Sequence, residues 1–227
     1  MGRLLDDPNL RNRIRVFADR HAAGKRLADM LADYRGKALR LFAIPAGGVP
    51  VAAPIARTLK APLDLIIVRK IQLPWTTEAG FGALDPEGTP LFNEMLLSRM
   101  PLTPEQIDAQ VAKTLENVKE REKRLRGGRP YPELAGAAVI IVDDGLASGY
   151  TMRAAVGFLK NKGAGALIIE VPTALDRPAQ ALLPQVDLLV CPNLRGGLSF
   201  AVADAYENWY DVDEKEVLDL LASLSQT

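Results

Sequence analysis

The stretch "AAVIIVDDGLASGYTM" (137–152) decides how the rest of the chain is read. An unbroken apolar run ends at Val142, adjacent carboxylates follow at Asp143 and Asp144, and helix formers resume after a turn of small residues. Buried charge is costly unless it is paired, so these acids call for a ligand, a metal or internal donors. Continuous rather than alternating apolarity marks a strand covered on both faces. Runs of the same kind recur at 38–44, 63–68, 166–171 and 186–190, and helices are predicted over 49–59, 151–162 and 176–183. Strands separated by one helix each imply a parallel α/β sheet.

In such a sheet ligands sit beyond the carboxyl ends of the strands, against the start of the next helix. Ser148, Gly149 and Thr151 offer hydroxyls and open N–H groups there, which suits a phosphate. Asp143 and Asp144 would repel a phosphate but accept hydrogen bonds from sugar hydroxyls. A ribose 5-phosphate meets both demands. The alternative is that the acids only cap a turn. The loop has no G-x-x-x-x-G-K-[ST] and no G-x-G-x-x-G. Ser148 sits in "GLASG" rather than G-x-S-x-G, and His21 is the only histidine that could serve it as a base.

The 227 residues fit one domain, 1–227. Basic and acidic residues number 28 each, so net charge gives no case for nucleic acid or an anionic membrane as partner. Cys191 is the only cysteine, which excludes an internal disulfide and a cysteine-rich zinc site. No signal-peptide core, myristoylation signal or membrane-length apolar run is found, so a soluble cytoplasmic protein is expected. The Gly- and Pro-rich segment from Gln72 to about Pro104 reads as a long loop with a hairpin. Residues 104–126 read as a long polar helix with Glu120–Arg124 and Glu122–Arg126 pairs, its basic end solvated. Amphipathic segments at 20–34 and 213–224 are placed beside the sheet as a cap.

At "DDGLASGYT" the sequence resembles the type I phosphoribosyltransferase family, with Ser148 in place of the usual Thr of T-G-x-T. The resemblance implies an α/β, parallel-sheet type I fold, with a flexible lid over about 72–103 and a small hood from about 1–36 and 191–227. It implies that Asp143 and Asp144 bind the ribose hydroxyls of phosphoribosyl pyrophosphate (PRPP). The run Ala147, Ser148, Gly149, Tyr150 and Thr151 would hold its 5-phosphate, and Gly145 is counted with the PRPP-binding residues. In "IPAGGVP", Ala46, Gly47 and Gly48 occupy the family's pyrophosphate loop, though Ala46 stands where a basic residue or Ser is common. Read alone, the glycines could equally serve a tight turn. In "VRKIQLPW", Arg69 and Lys70 resemble the Arg-Lys pair before the lid, and the alternative is ordinary surface cations. Segments from "FADRHAAGKRLADML" to "AVADAYENWYDVDEKEV" look like a stand-alone group of that family, some members of which are fused to hydrolases.

The activity implied is Mg2+-dependent transfer of the 5-phosphoribosyl group from PRPP to a nitrogenous acceptor, with release of pyrophosphate. Non-catalytic sensing of PRPP or a nucleotide on the same fold is the competing class. Expected partners are PRPP and a small nitrogen acceptor, with a homodimer as the candidate assembly and the metal's protein ligands unassigned. Members that use 6-oxopurines place an Asp where this chain has Ala147, so that base is not carried over. Glu78 is the candidate on the lid, and His21 reads as structural. Trp75, Phe81, Phe200, Tyr206 and Trp209 could stack on a base or belong to the core. Cys191 reads as a small buried hydrophobe.

Overall fold

The apolar run at 138–142 lies at the centre of the molecule. A computed structural model describes residues 2–76, 79–197 and 199–224. Strand β7 (Ala138–Val142) pairs in parallel with β2 (Leu39–Ala43) on one side and β8 (Ala166–Glu170) on the other, placing Val142 opposite Ala43 and Glu170. Flanking strands are β3 (Leu63–Leu65) beside β2, and β10 (Leu188–Val190) with β1 (Arg3–Leu5) beyond β8. The six-stranded order is therefore β1-β10-β8-β7-β2-β3.

Alternation along β7 explains the two layers around it, since successive side chains point to opposite faces. Ile140 and Val142 join Leu27, Val51 and Ile55 from α1 (Arg20–Met30) and α2 (Gly48–Leu59). Val139 and Ile141 join Met152, Phe158 and Leu182 from α5 (Tyr150–Asn161) and α6 (Asp176–Leu182). Both faces are covered, which is why the strands read as unbroken apolar runs. The C-terminal α7 (Glu214–Leu224) adds Val217 to the first layer. No described helix is long and apolar enough to cross a membrane.

Two segments depart from the expectations. Arg3–Leu5, assigned by the resemblance to the hood, pairs with β10 as the outer strand of the main sheet. Three residues are too few to give a period, yet they cover an otherwise open edge. The long loop with a hairpin expected from Gln72 carries that hairpin and a further strand. β4 (Arg69–Gln72), β5 (Gly80–Leu84) and β6 (Pro90–Phe92) form a separate antiparallel sheet, followed by the short α3 (Glu94–Leu97). Gly82 is a strand glycine: a Cβ there would meet the Leu91 carbonyl at 2.5 Å. Phe81 and Leu84 are fully buried, so this part of the expected lid belongs to the core.

Helix α4 (Pro104–Arg126) has the span its sequence predicts; it starts at a Thr103/Gln106 capping box and ends at left-handed Gly127. Its basic end is not simply solvated. Arg126 is buried, pairs with Asp64 at 2.8 Å and Glu122 at 3.0 Å, and stacks 3.6 Å from the Tyr131 ring centre. The Glu122–Arg126 pair is present, whereas Arg124 approaches Glu214 at 3.3 Å. Deleting one partner of a buried ion pair leaves the others uncompensated, so Arg126→Ala is expected to lower unfolding free energy by about 3 kcal/mol. Arg126→Lys should recover only part of that loss in urea denaturation, because an ammonium cannot reproduce the planar fork.

Candidate functional site

Beyond Val142 the chain leaves the sheet. Leu146 N–H donates to the Thr173 carbonyl (2.9 Å), and the Leu146 carbonyl accepts from Leu175 N–H (2.9 Å). These bonds fasten the turn to β9 (Thr173–Leu175), which pairs with β11 (Asn193–Arg195). Gly149, at φ +79°, is the N-cap of α5 and brings no capping side chain. A left-handed residue is needed there, and glycine adopts that conformation without a Cβ penalty. The first-turn amides of α5 are thus left for an anion. Residues 145–152 line one half of a cleft, about 390 Å³ in volume, with Asp143 and Lys70 at its edge.

The other half, about 350 Å³, is lined by Gly47, Arg69, Lys70, Gln72 and both acids. Lys70, Asp143 and Thr151 border both halves, so the two adjoin. Gly47 makes this juxtaposition possible: a Cβ there would lie 1.9 Å from Asp144 Oδ2. Its two neighbours in the loop are placed differently. Ala46 packs half-buried against the core, and Gly48 is buried with its N–H donated to the Ile44 carbonyl at 3.0 Å. Neither lines the groove. The Pro45–Ala46 peptide is cis.

Asp144 has an internal partner that the sequence reading missed. Arg20, 4 % exposed on α1, donates from Nε to Asp144 Oδ2 at 2.9 Å. Its Nη1 donates to the Tyr210 carbonyl at 2.9 Å, and its guanidinium lies 3.8 Å from the Trp209 ring centre. Tyr206 donates its hydroxyl to the Asp144 carbonyl at 2.6 Å. The chain ends meet nearby, where Phe17 pairs with Tyr206 and accepts from Glu207 N–H. A cation spaced for helix α1 carries no mark in the sequence of what it faces 124 residues away.

Burial, and then the neighbouring Asp144 charge, pushes Asp143 well above the usual carboxylate range. Burial also raises Asp144, and Arg20 opposes that rise. Burial lowers Arg69, with Glu214 opposing. A third acid lies behind them. Glu170 is fully buried, its two carboxylate oxygens have no hydrogen-bond partner among the described residues, and burial pushes its pKa up to about 8. Its signal was legible: an ionisable residue interrupts the apolar run "ALIIEV".

The remaining candidates fall outside the groove. His21 is exposed at the first turn of α1, Trp75 is exposed, and Phe81 and Cys191 are core residues. Glu78 lies outside the described residues.

A parallel sheet whose central strand delivers paired acids and an open helix start to one groove defines the class: a type I phosphoribosyltransferase fold. The comparisons place the chain in that family. The model of the phosphoribosyl transferase domain matches residues 10–207. Curated relatives from two Mycobacterium tuberculosis strains, named as phosphoribosyl transferases, are 36 % identical over 208 residues, covering 92 % of this chain and 47 % of theirs. This chain therefore spans about half the length of those relatives. The crystal structure of TT1426 from Thermus thermophilus superposes with a TM-score of 0.72 at 29 % identity, covering 93 % of this chain and 99 % of that one. The chain belongs to the phosphoribosyl transferase family.

The raised acids set the direction of a pH effect. Asp143 and Glu170 bind protons more tightly folded than unfolded, so their ionisation removes stability as pH rises above about 4. Asp143→Asn is expected to raise the thermal midpoint of the ligand-free protein at pH 8, with the gain fading towards pH 4. Glu170→Gln should flatten the stability curve between about 4.5 and 8. Equal midpoints for wild type and both variants across that range would contradict this assignment.

Proposed function

We propose that the chain transfers the 5-phosphoribosyl group of PRPP to a nitrogenous acceptor and releases pyrophosphate. One observation carries the reading: the acid pair, the open start of α5 and the Arg69–Lys70 pair line two adjoining pockets that share Lys70, Asp143 and Thr151. In this reading residues 147–151 hold the 5-phosphate through amides and hydroxyls. Asp143 and Asp144 accept from the ribose hydroxyls, and Arg69 and Lys70 face the pyrophosphate. The bond from the anomeric carbon to pyrophosphate oxygen breaks, a carbon–nitrogen bond forms, and the acceptor gives up a proton.

Fixed cations and helix amides stabilise the departing charge without reorganising during the reaction. The carboxyl oxygens of Asp143 and Asp144, both bordering the second half, fit a hard cation. Among the described residues no group of three His, Cys, Asp or Glu side chains could hold a metal. Magnesium would thus be held mainly by the substrate's phosphates and water, and would neutralise the leaving pyrophosphate. Closure of the loop beyond β4 would exclude water and favour transfer over hydrolysis. A cytoplasmic location and a homodimer complete the proposal.

The test is pyrophosphate release from PRPP across purines, pyrimidines and other nitrogen acceptors, with and without EDTA. Saturable release that chelation abolishes is expected with at least one acceptor. Asp144→Asn is expected to weaken PRPP binding about tenfold or more, the scale of a hydrogen bond to a charged group. Calorimetric PRPP binding without release across the panel would favour the sensing class. No binding would end the proposal.

A further inference from the structure

Arg20 is the one cation in direct contact with Asp144 among the described ion pairs, and it is held at three points. Asp144 Oδ2 accepts from Arg20 on one side and lies against the bare backbone of Gly47 on another. On its far side the guanidinium spreads over Trp209, which is 39 % exposed, and binds the Tyr210 carbonyl. Neither aromatic lines the groove. We infer that Arg20 is a positioning residue linking the sugar half of the groove to the aromatic surface of Trp209 and Tyr210, so that filling one alters the other.

The physical chain is short. A ligand hydroxyl or cation at Asp144 draws on the same carboxylate charge that holds Arg20. Weakening that pair changes the position or strength of the guanidinium's contact with the indole face, since cation–π attraction depends on the cation lying over the ring. The reverse also holds, because coupling between two sites is reciprocal in free energy. A planar group packed on the exposed part of Trp209 would therefore tune the affinity of the acid pair for the sugar. The inference rests on the PRPP reading of the groove, and its test separates the two.

Trp75 and Trp209 are the only tryptophans, so Trp75→Phe makes Trp209 the sole reporter. Saturating this protein with PRPP and magnesium, followed in parallel by calorimetry, is expected to shift Trp209 emission. Adding Arg20→Lys keeps a charge but loses the planar fork and its stacking. PRPP affinity should then fall about tenfold, as expected when a charge-assisted contact is lost, and the emission shift should disappear. Trp209→Leu, made in the otherwise unchanged chain, is expected to raise the KM for PRPP with kcat little altered; a purely structural hood would lower the melting temperature without that split. PRPP binding with silent Trp209 emission, or an unchanged KM in Trp209→Leu, overturns the link while leaving the groove reading intact. Absence of PRPP binding in the wild-type chain overturns both.

Discussion

The approach of the Gly47 backbone to the Asp144 carboxylate is the constraint on which the site depends. Two crossovers of the parallel sheet, β2 to α2 and β7 to α5, end side by side because their strands are hydrogen-bonded neighbours. A side chain at 47 would occupy the position of Asp144 Oδ2. With glycine there, the open start of α5, the acid pair and the cations of β4 border adjoining pockets. The doubly covered sheet below holds these ends rigid, which is what a site built on loops requires of its scaffold.

Charge is the second organising feature. Asp143, Asp144 and Glu170 cluster at the carboxyl edge of β7 and β8, and only Asp144 is matched by a buried cation, Arg20, among the described residues. Such clustering of carboxylates with raised proton affinity costs the empty fold stability and is the arrangement expected where a ligand supplies the missing partner. Arg20 also carries the acid pair's influence outward, because its guanidinium is shared with Trp209 and the Tyr210 carbonyl. The aromatic surface and the acids thereby belong to one connected unit.

Much of the site was legible in one short stretch. Val142, Asp143, Asp144 and the small residues to Thr151 state a strand, a polar turn and a helix start, and local chemistry alone gives their order. Arg69 and Lys70 were legible too, since they follow the next apolar run and so reach the same edge. The sequence alone does not show that within the glycine loop Gly48 bonds back to the Ile44 carbonyl and Ala46 packs on the core, while Gly47 borders the acids. The glycines of 80–82 are equally ambiguous, because a glycine that admits a neighbouring strand has the same letter as one that opens a loop.

By itself the sequence determined the strand–helix alternation, the doubly covered sheet and the polar turn after β7, because each rests on contacts within a few residues or on a period that hydrophobic pattern records. Only tertiary structure decided that Arg3–Leu5 closes the sheet edge, that Arg126 is a buried hub and that Arg20 holds Asp144. The two ion pairs among those outcomes join residues 62 and 124 positions apart. A charge on one helix carries no local record of the acid it will meet once the chain is packed.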